Sequence, residues 1–571
     1  MLLRLYLLVF ISFLVGCPSS SDSESTSELE RLFPTDENPG VVFEDCIFTS
    51  PLLYEEDGKH WIIVATAEGT IEGIDPKRGT SEWSVALPKA ENRENFLLAT
   101  PVIIDDLLVA AYHAIPEEFG DYREPNNRRL GHLMAVVDLR SREVHQGFPL
   151  LALEGNVEAN EPGAIVSFRP ENALTRGRLV HGRLEGAELG MVYLGQGNTR
   201  DIQPWHGWAW EINLDAWKES ETSDGGEIIS GLLNTTPEPD ENCGTPGTSG
   251  SRERKCGGGL WAPSGHLLVP EENGFHLILA PGNGQLEIDR RNFANTLMKV
   301  GPGLQFDPKC DDQACRDFDS DFPSLACVES CENLFIPRLL PDQELQRAPD
   351  GRCDDMDSLF ECWEEMDYIG GSTPIRVELD DHNVLVYPTK DGHTYLIDAD
   401  HLGKMYDRHR MVEMCGHHGG QCTRIWAGMS VTKPLLVEID TTPAVLVPTF
   451  MPDDVNAAGV VAMKIVEEEE GPRLERAWEY PDFSTPAAKE RFRNHPSEIT
   501  LSEDGSIAYI VDIFPSGGIL SGIRVADGQP VFRTTLAGPG RRYIRPLITD
   551  QTIYVPSCNR NDGPGFIEAY R

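Results

Sequence analysis

Apolar and polar positions along this chain alternate in short runs broken by Gly-, Asp- and Asn-containing turns, a pattern that predicts half-buried antiparallel strands. The runs recur in a repeat. From Pro51 an apolar run leads to an acidic turn, the strand Ile62-Ile63-Val64, then Glu68-Gly69 and Ile74-Asp75. From Pro374 the same offsets give Val384-Leu385-Val386 or neighbours, one residue earlier for the strand, then Asp391-Gly392 and Ile397-Asp398, and both copies place Gly 18 and Asp 24 residues after Pro. Each copy reads as strand, hairpin, strand, Gly-containing turn, strand, with the β-branched and aromatic enrichment that suits pleated surfaces.

The same template finds further starts at Pro101, Pro162, Pro263, Pro434, Pro496 and Pro546, which makes eight units. Repeated four-stranded units of this kind predict an all-β fold, an eight-bladed β-propeller with seven blades as the alternative count, in which radial repetition leaves no long open sheet edge. The third and fourth units carry long Cys-stapled loop insertions, chiefly from about Lys309 to Cys362. Pro546 to Tyr570 supplies about three strands, and Val41 to Phe48 is the expected fourth strand that closes the ring.

The chain opens with Met1, Arg4, an apolar run to Val15, then Gly16 and Cys17. That run is too short to span a bilayer and has the form of a secretory signal. Leu14-Val15-Gly16-Cys17 resembles the lipobox of bacterial lipoproteins, which implies cleavage before Cys17 and diacylation of its thiol. The expected organisation is therefore a signal peptide over 1–16, a lipidated Cys17 with a polar tether over 17–40, and the propeller over 41–571. Pro18 stands where an inner-membrane retention signal would have Asp, so the resemblance implies outer-membrane anchoring, on the periplasmic or surface face.

Charge narrows the partners. Against 49 Lys and Arg stand 92 Asp and Glu, a formal net of −43, which repels nucleic-acid backbones and anionic lipid surfaces. Cysteine usage fits an exported chain: of 13 cysteines, 12 remain beside Cys17. Local spacing predicts the disulfides Cys243–Cys256, Cys310–Cys315, Cys327–Cys331, Cys353–Cys362 and Cys415–Cys422, leaving Cys46–Cys558 to clasp the first and last blades. His417 and His418 between Cys415 and Cys422 offer the alternative of a zinc site, which an oxidising compartment disfavours.

Gly73-Ile-Asp75-Pro-Lys-Arg-Gly79-Thr-Ser-Glu-Trp83 is similar to the Ala-x-Asp-x-x-x-Gly-x-x-x-Trp docking motif of pyrroloquinoline-quinone-like, quinoprotein-type propellers, with Gly73 in place of Ala. The resemblance implies that Asp75, Gly79, Trp83 and, in the fifth unit, Asp398 serve blade packing. It also divides function into two classes: cofactor-free binding scaffolds, and dehydrogenases that use Ca2+ and pyrroloquinoline quinone on alcohols or sugars. Gly258-Gly-Leu-Trp261, Gly282-Asn283-Gly284 and Asn292-Phe-Ala-Asn295 resemble a dehydrogenase segment. That resemblance would make Trp261 the floor under the quinone and Asn283 a calcium ligand. Asp317, Asp319 and Asp321 follow where the family carries its calcium-proximal base, and would be metal ligands, with Asp317 and Asp319 catalytic.

Departures from that pattern favour the scaffold. The chain has no adjacent Cys-Cys pair to lie over a quinone and no Cys-x-x-Cys-His for a covalent haem. Trp205-His206-Gly207-Trp208-Ala209-Trp210 reads as strand core rather than a sugar platform. The expectation is a lipid-anchored propeller that binds a cell-envelope protein or a ligand without needing a cofactor, the quinoprotein dehydrogenase being the alternative.

Overall fold

A computed structural model of the chain describes residues 28–116, 130–198, 202–220, 227–245, 256–271, 274–315, 324–338, 370–412, 428–452, 456–513, 517–558 and 563–571. Eight antiparallel sheets of at least four strands follow one another along the sequence and form the eight blades of a propeller. The first blade is Leu52–Glu56, Lys59–Ala65, Thr70–Ile74 and Ser81–Ala86, paired in that order. The fifth (Ile375–Glu378, Asn383–Pro388, His393–Asp398, Met405–Arg410) and the sixth (Leu435–Ile439, Thr442–Pro448, Val460–Glu468, Gly471–Tyr480) repeat it.

No single central core exists; the apolar side chains collect between neighbouring blades. In the first blade Trp61, Ile63 and Ala65 pack with Leu108, Ala110 and Leu133 of the second. Ile62 and Val64, on the other face of the same strand, pack with Phe33, Tyr554 and Ile567 of the eighth. In the seventh blade Ala508 and Ile510 face the sixth, while Tyr509 and Val511 face the eighth. A middle strand is thus buried on both sides, which is why its sequence is continuously apolar while the edge strands alternate. Inner strands of the fourth to sixth blades wall an axial cavity of about 680 Å3, with Pro270, Glu378 and Glu438 near one end of it.

The ring closes by joining the two ends of the chain. Gly565–Tyr570 of the eighth blade pairs with Arg31–Phe33 as outermost strand and with Val42–Phe43. Val42–Phe43 lies within the stretch expected to close the ring, but Arg31–Phe33 lies within the expected tether, so the propeller begins before residue 41. Acidic neighbours conceal this short strand in the sequence, and burial of Phe33 (0% exposed) against Tyr554 holds it in place. Cys46–Cys558 bonds the same two regions across 512 residues.

The third blade also differs from expectation. The run after Pro162 forms a separate hairpin, Asn156–Glu158 with Ile165–Ser167, and the blade's own inner strands are Ala173–Thr175 and Val180–Gly182. Cysteines of the fourth-blade insertion pair Cys310–Cys331 and Cys315–Cys327, not Cys310–Cys315 and Cys327–Cys331. The helix Leu325–Ser330, capped by Ser324, places Cys327 and Cys331 one turn apart on one face. Each sulfur therefore meets the 310–315 segment rather than its sequence neighbour. Cys243–Cys256 is bonded; Cys353–Cys362 and Cys415–Cys422 lie outside the described residues, as does Cys17.

The docking motif explains how blades turn. Asp75 Oδ1 accepts the N–H groups of Lys77 (2.9 Å) and Arg78 (3.1 Å), and Gly79 N–H closes the turn on Asp75 O (2.8 Å). Burial pushes the Asp75 carboxyl up, but these bonds and Arg78 outweigh it and hold it below the usual range. Asp398 caps Asp400 and His401 in the same way. Gly79 has φ +67° and a Cβ there would meet the Phe33 ring at 2.8 Å, so the turn of the first blade receives the closing strand. Trp83 lies directly on Gly73, where an added Cβ would be 2.0 Å from its ring. That contact is the physical reason for glycine at the motif's alanine position.

Candidate functional site

Each blade has two ends, and the sequence-selected residues divide between them. At the end opposite the Asp75-type turns, Gly258–Trp261 and Gly282–Gly284 lie against each other. Gly258 N–H donates to Asn283 O (2.8 Å), Gly282 N–H to Gly259 O (2.9 Å), and Asn295 N–H to Gly282 O (2.9 Å). A Cβ on Gly284 would sit 2.2 Å from Cys256 O, so the glycines permit backbone-to-backbone packing here. The structure therefore brings together the three segments that the sequence singled out.

Their side chains do not form a cation cage. Asn283 is 1% exposed, enclosed by this packing. Trp261 is partly exposed, lies over Gly197, and turns its carbonyl toward Gly177, the residue between Arg176 and Arg178. Asp317, Asp319 and Asp321 lie outside the described residues. Their flanks leave from Leu297–Val300, whose Val300 pairs with Leu277 and whose next residues meet Gly274, whereas Asn283 follows Leu279 at the other end of that hairpin. Among the described residues, the groups of three potential metal ligands are His206–Cys243–Cys256 and Cys310–Cys315–Cys331, and their sulfurs are spent in disulfides. With Asp317, Asp319 and Asp321 outside the described residues, no calcium–quinone centre is assembled among those that are described, and no chemical step is derived through one.

The Trp205–Trp210 run is core. Trp205, Trp208 and Trp210 are 1%, 2% and 0% exposed, and Trp210 Nε1 donates to Gln196 Oε1 (2.7 Å). Cys243–Cys256 staples the loop beside it, where His206 meets Thr236 O (2.8 Å) and Asp240 Oδ1 (3.2 Å).

A second constellation, absent from the sequence reading, stands on the axis at this same end. In every blade the residue two places before the innermost strand occupies an equivalent position. Four of these are uncharged: Ser50, Thr100, Gly265 and Thr373. Four are charged: Arg178, Lys433, Glu498 and Arg545. Contacts run across the ring, not only around it. Arg178 of the third blade reaches Glu498 of the seventh (3.6 Å) and donates to Ser50 Oγ of the first (3.0 Å). Arg545 N–H of the eighth blade donates to the same Oγ (2.9 Å), and Ser50 N–H donates to Thr100 Oγ1 (3.0 Å). A usable signal was present: five of these residues precede the prolines that mark the blade starts, and a residue before proline is held extended.

Further cations stand beside the ring. Arg176 lies over the Tyr543 ring (4.4 Å), as does Arg542 (5.5 Å). His495 packs between Phe450 (3.9 Å) and Tyr543 (4.8 Å). Burial, with Arg542, Arg176 and Lys390 nearby, drives the His495 imidazole well below its ordinary pKa and keeps it neutral. Lys433 is recessed between blades yet open to solvent; partial desolvation together with Arg178 and Arg545, opposed by Glu498, lowers its ammonium. Lys390 neighbours Asp391, which is buried. Burial pushes the Asp391 carboxyl up, but His393, Arg408 and Thr389 outweigh it, so it stays ionised within its own network.

No family model matches the chain, and no curated protein matches it. Solved structures match over nearly its whole length. A quinohemoprotein alcohol dehydrogenase from Pseudomonas putida is 11% identical with TM-score 0.50, the match covering 96% of this chain and 78% of that one. A europium-containing methanol dehydrogenase is 10% identical with TM-score 0.50, covering 93% and 85%. BamB from Moraxella catarrhalis is 10% identical with TM-score 0.41, covering 93% and 100%. The fold is an eight-bladed propeller like that of these dehydrogenases, and at this identity the likeness is one of fold.

Proposed function

We propose that the chain is a lipid-anchored binding scaffold of the bacterial cell envelope, held at the outer membrane through Cys17, which engages its partner at the end of the propeller carrying the Cys243–Cys256 loop. The observation that carries this reading is the division of labour between the two ends. One end is occupied by tight Asp-capped turns and by the disulfide-stapled insertion, which docks on the fifth blade through Leu402 N–H to Glu332 O and Gly403 N–H to Cys331 O. The other gathers the long connections and the axial ring, an arrangement suited to recognition.

Two measurements test it. Fatty-acid labelling in cells should tag the protein, and Cys17→Ser should abolish both tag and membrane association; a tag that survives the substitution refutes the anchor. Site-specific photo-crosslinking from exposed positions at the two ends should give a defined adduct from the loop-bearing end only. The dehydrogenase alternative rests on the convergence of Trp261 and Asn283. It predicts saturable pyrroloquinoline quinone binding in Ca2+, with alcohol- or sugar-dependent dye reduction that Asn283→Ala removes.

A further inference from the structure

We propose that the pocket between the fourth and fifth blades, at the end of the propeller carrying the Asp75-type turns, binds a small zwitterion: an α-amino acid with an apolar side chain, its carboxylate on Arg376 and Lys299 and its ammonium on Glu271 and Asp400. The site lies away from the axial ring and does not depend on which end engages a partner.

Two departures from the repeat meet here. The second residue of the innermost strand is Leu or Ile in six blades (Leu53, Ile103, Leu268, Leu436, Leu501 and Ile548), yet in the fifth it is Arg376. Lys299, paired with Ile278 and through it in line with Leu267, holds the ladder position that Gly73, Ala462, Gly522 and Ala569 hold in four other blades. The third blade also carries polar residues at these two positions, but they are satisfied within the fold: His181 Nε2 donates to Leu189 O (2.6 Å), and Glu211 accepts Ser230 Oγ (2.7 Å) and Gly303 N–H (3.1 Å). Alternation along Ile375–Glu378 turns Ile375 and Val377 to the sixth blade and leaves Arg376 facing the fourth.

The two cations line a pocket of about 170 Å3 whose apolar wall is Val269, Ile278, Leu385 and Ala399. It opens on the axial cavity, with which it shares Val269, Pro270 and Arg376. Among the described residues neither cation makes a side-chain hydrogen bond. Lys299 Nζ stands 3.6 Å from Glu271, the Arg376 guanidinium stands 3.6 Å from exposed Glu378, and Arg376 Nε is buried with no partner, although buried polar atoms are almost always satisfied. Glu271 also lies 2.5 Å from His276 Nδ1, and Asp400 accepts Asn383 Nδ2 (3.3 Å). With Lys299 and Arg376 set against Glu271 and Asp400, a ligand carrying one charge of each sign enters without net charge, and a guanidinium matches the edge of a carboxylate. The pocket is smaller than the roughly 300 Å3 at which drug-sized sites begin, so it suits a small metabolite. The disulfide-stapled insertion fixes its rim: beside Asp400, His401 Nε2 donates to Glu329 O (2.8 Å) and Gly403 N–H to Cys331 O (2.8 Å).

The test titrates the purified full chain with L-valine, L-leucine and L-methionine by calorimetry. At least one should bind saturably, and the N-acetylated and the amidated forms of that amino acid, each short of one charge, should bind about tenfold or more weakly. Arg376→Leu installs the residue found at this position in four other blades, and Lys299→Ala the residue found in two. Both variants should unfold no earlier than the parent yet lose the binding, so a failure to bind is not a failure to fold. Lys77→Gln, on an exposed turn of the first blade, should leave binding unchanged. No saturable heat with any of the three amino acids, equal binding of the acetylated or the amidated form, or binding indifferent to Arg376→Leu overturns the proposal.

Discussion

Cys46–Cys558 closes a loop of 512 residues, and its removal is the most direct test of how the ring is held. In the chain-entropy treatment a loop of that length restricts the unfolded chain by about 6 kcal/mol, whereas the 13-residue loop of Cys243–Cys256 gives about 3 kcal/mol. Both cysteines of the long loop are fully buried, and the strands they adjoin remain paired through Val42–Phe566 and Arg31–Tyr570. Cys46→Ser/Cys558→Ser should therefore leave a folded propeller of lower stability. With an unfolding entropy of about 2 cal/mol/K per residue, a loss of about 6 kcal/mol lowers Tm by about 5 °C in a chain of this size. Calorimetry on this variant and on Cys243→Ser/Cys256→Ser, both kept oxidised, gives the comparison. If the short loop costs as much as the long one, the clasp is not acting through chain closure, and a free thiol at Cys46 or Cys558 in the native protein refutes the bond.

Gly73→Ala should destabilise by about 1–3 kcal/mol, the usual cost of overpacking, because the new Cβ overlaps the Trp83 ring. Denaturant titration of Gly73→Ala in a Trp83→Leu background should recover most of that loss, and strictly additive effects would refute the contact. His266 is buried, with Nε2 unpartnered, and burial lowers its pKa to about 4 from 6.5. The folded state therefore refuses a proton that the unfolded chain accepts, so this contribution is complete above about pH 6.5 and falls by roughly 3 kcal/mol towards pH 4, where the loss stops. Unfolding free energies across that window should flatten in His266→Gln, and an unchanged slope would exclude His266 as the source.

The propeller was legible because its constraint is local and repeated. Gly69 and Gly392 both adopt positive φ in the turn between middle strands, and Asp75 and Asp398 both cap the next turn, so a fixed offset from Pro51 and Pro374 survives divergence elsewhere. The third blade escaped the template because Ile165-Val166-Ser167 satisfies the alternation of an inner strand while pairing only with its own hairpin. Disulfide pairing in the insertion escaped it because spacing does not report that a helix turns Cys327 and Cys331 to the same side. Trp261 and Asn283 converge because contiguous glycine-rich segments pack backbone to backbone, whereas Asp317, Asp319 and Asp321 lie outside the described residues.

The axial ring was illegible for a different reason. Its eight members come one from each blade, separated along the chain by a full repeat, and no window of sequence contains two of them. Each taken alone is an ordinary residue before an extended segment. Only closure of the ring turns Arg178, Lys433, Glu498 and Arg545 into neighbours, as the contact between Arg178 of the third blade and Glu498 of the seventh demonstrates.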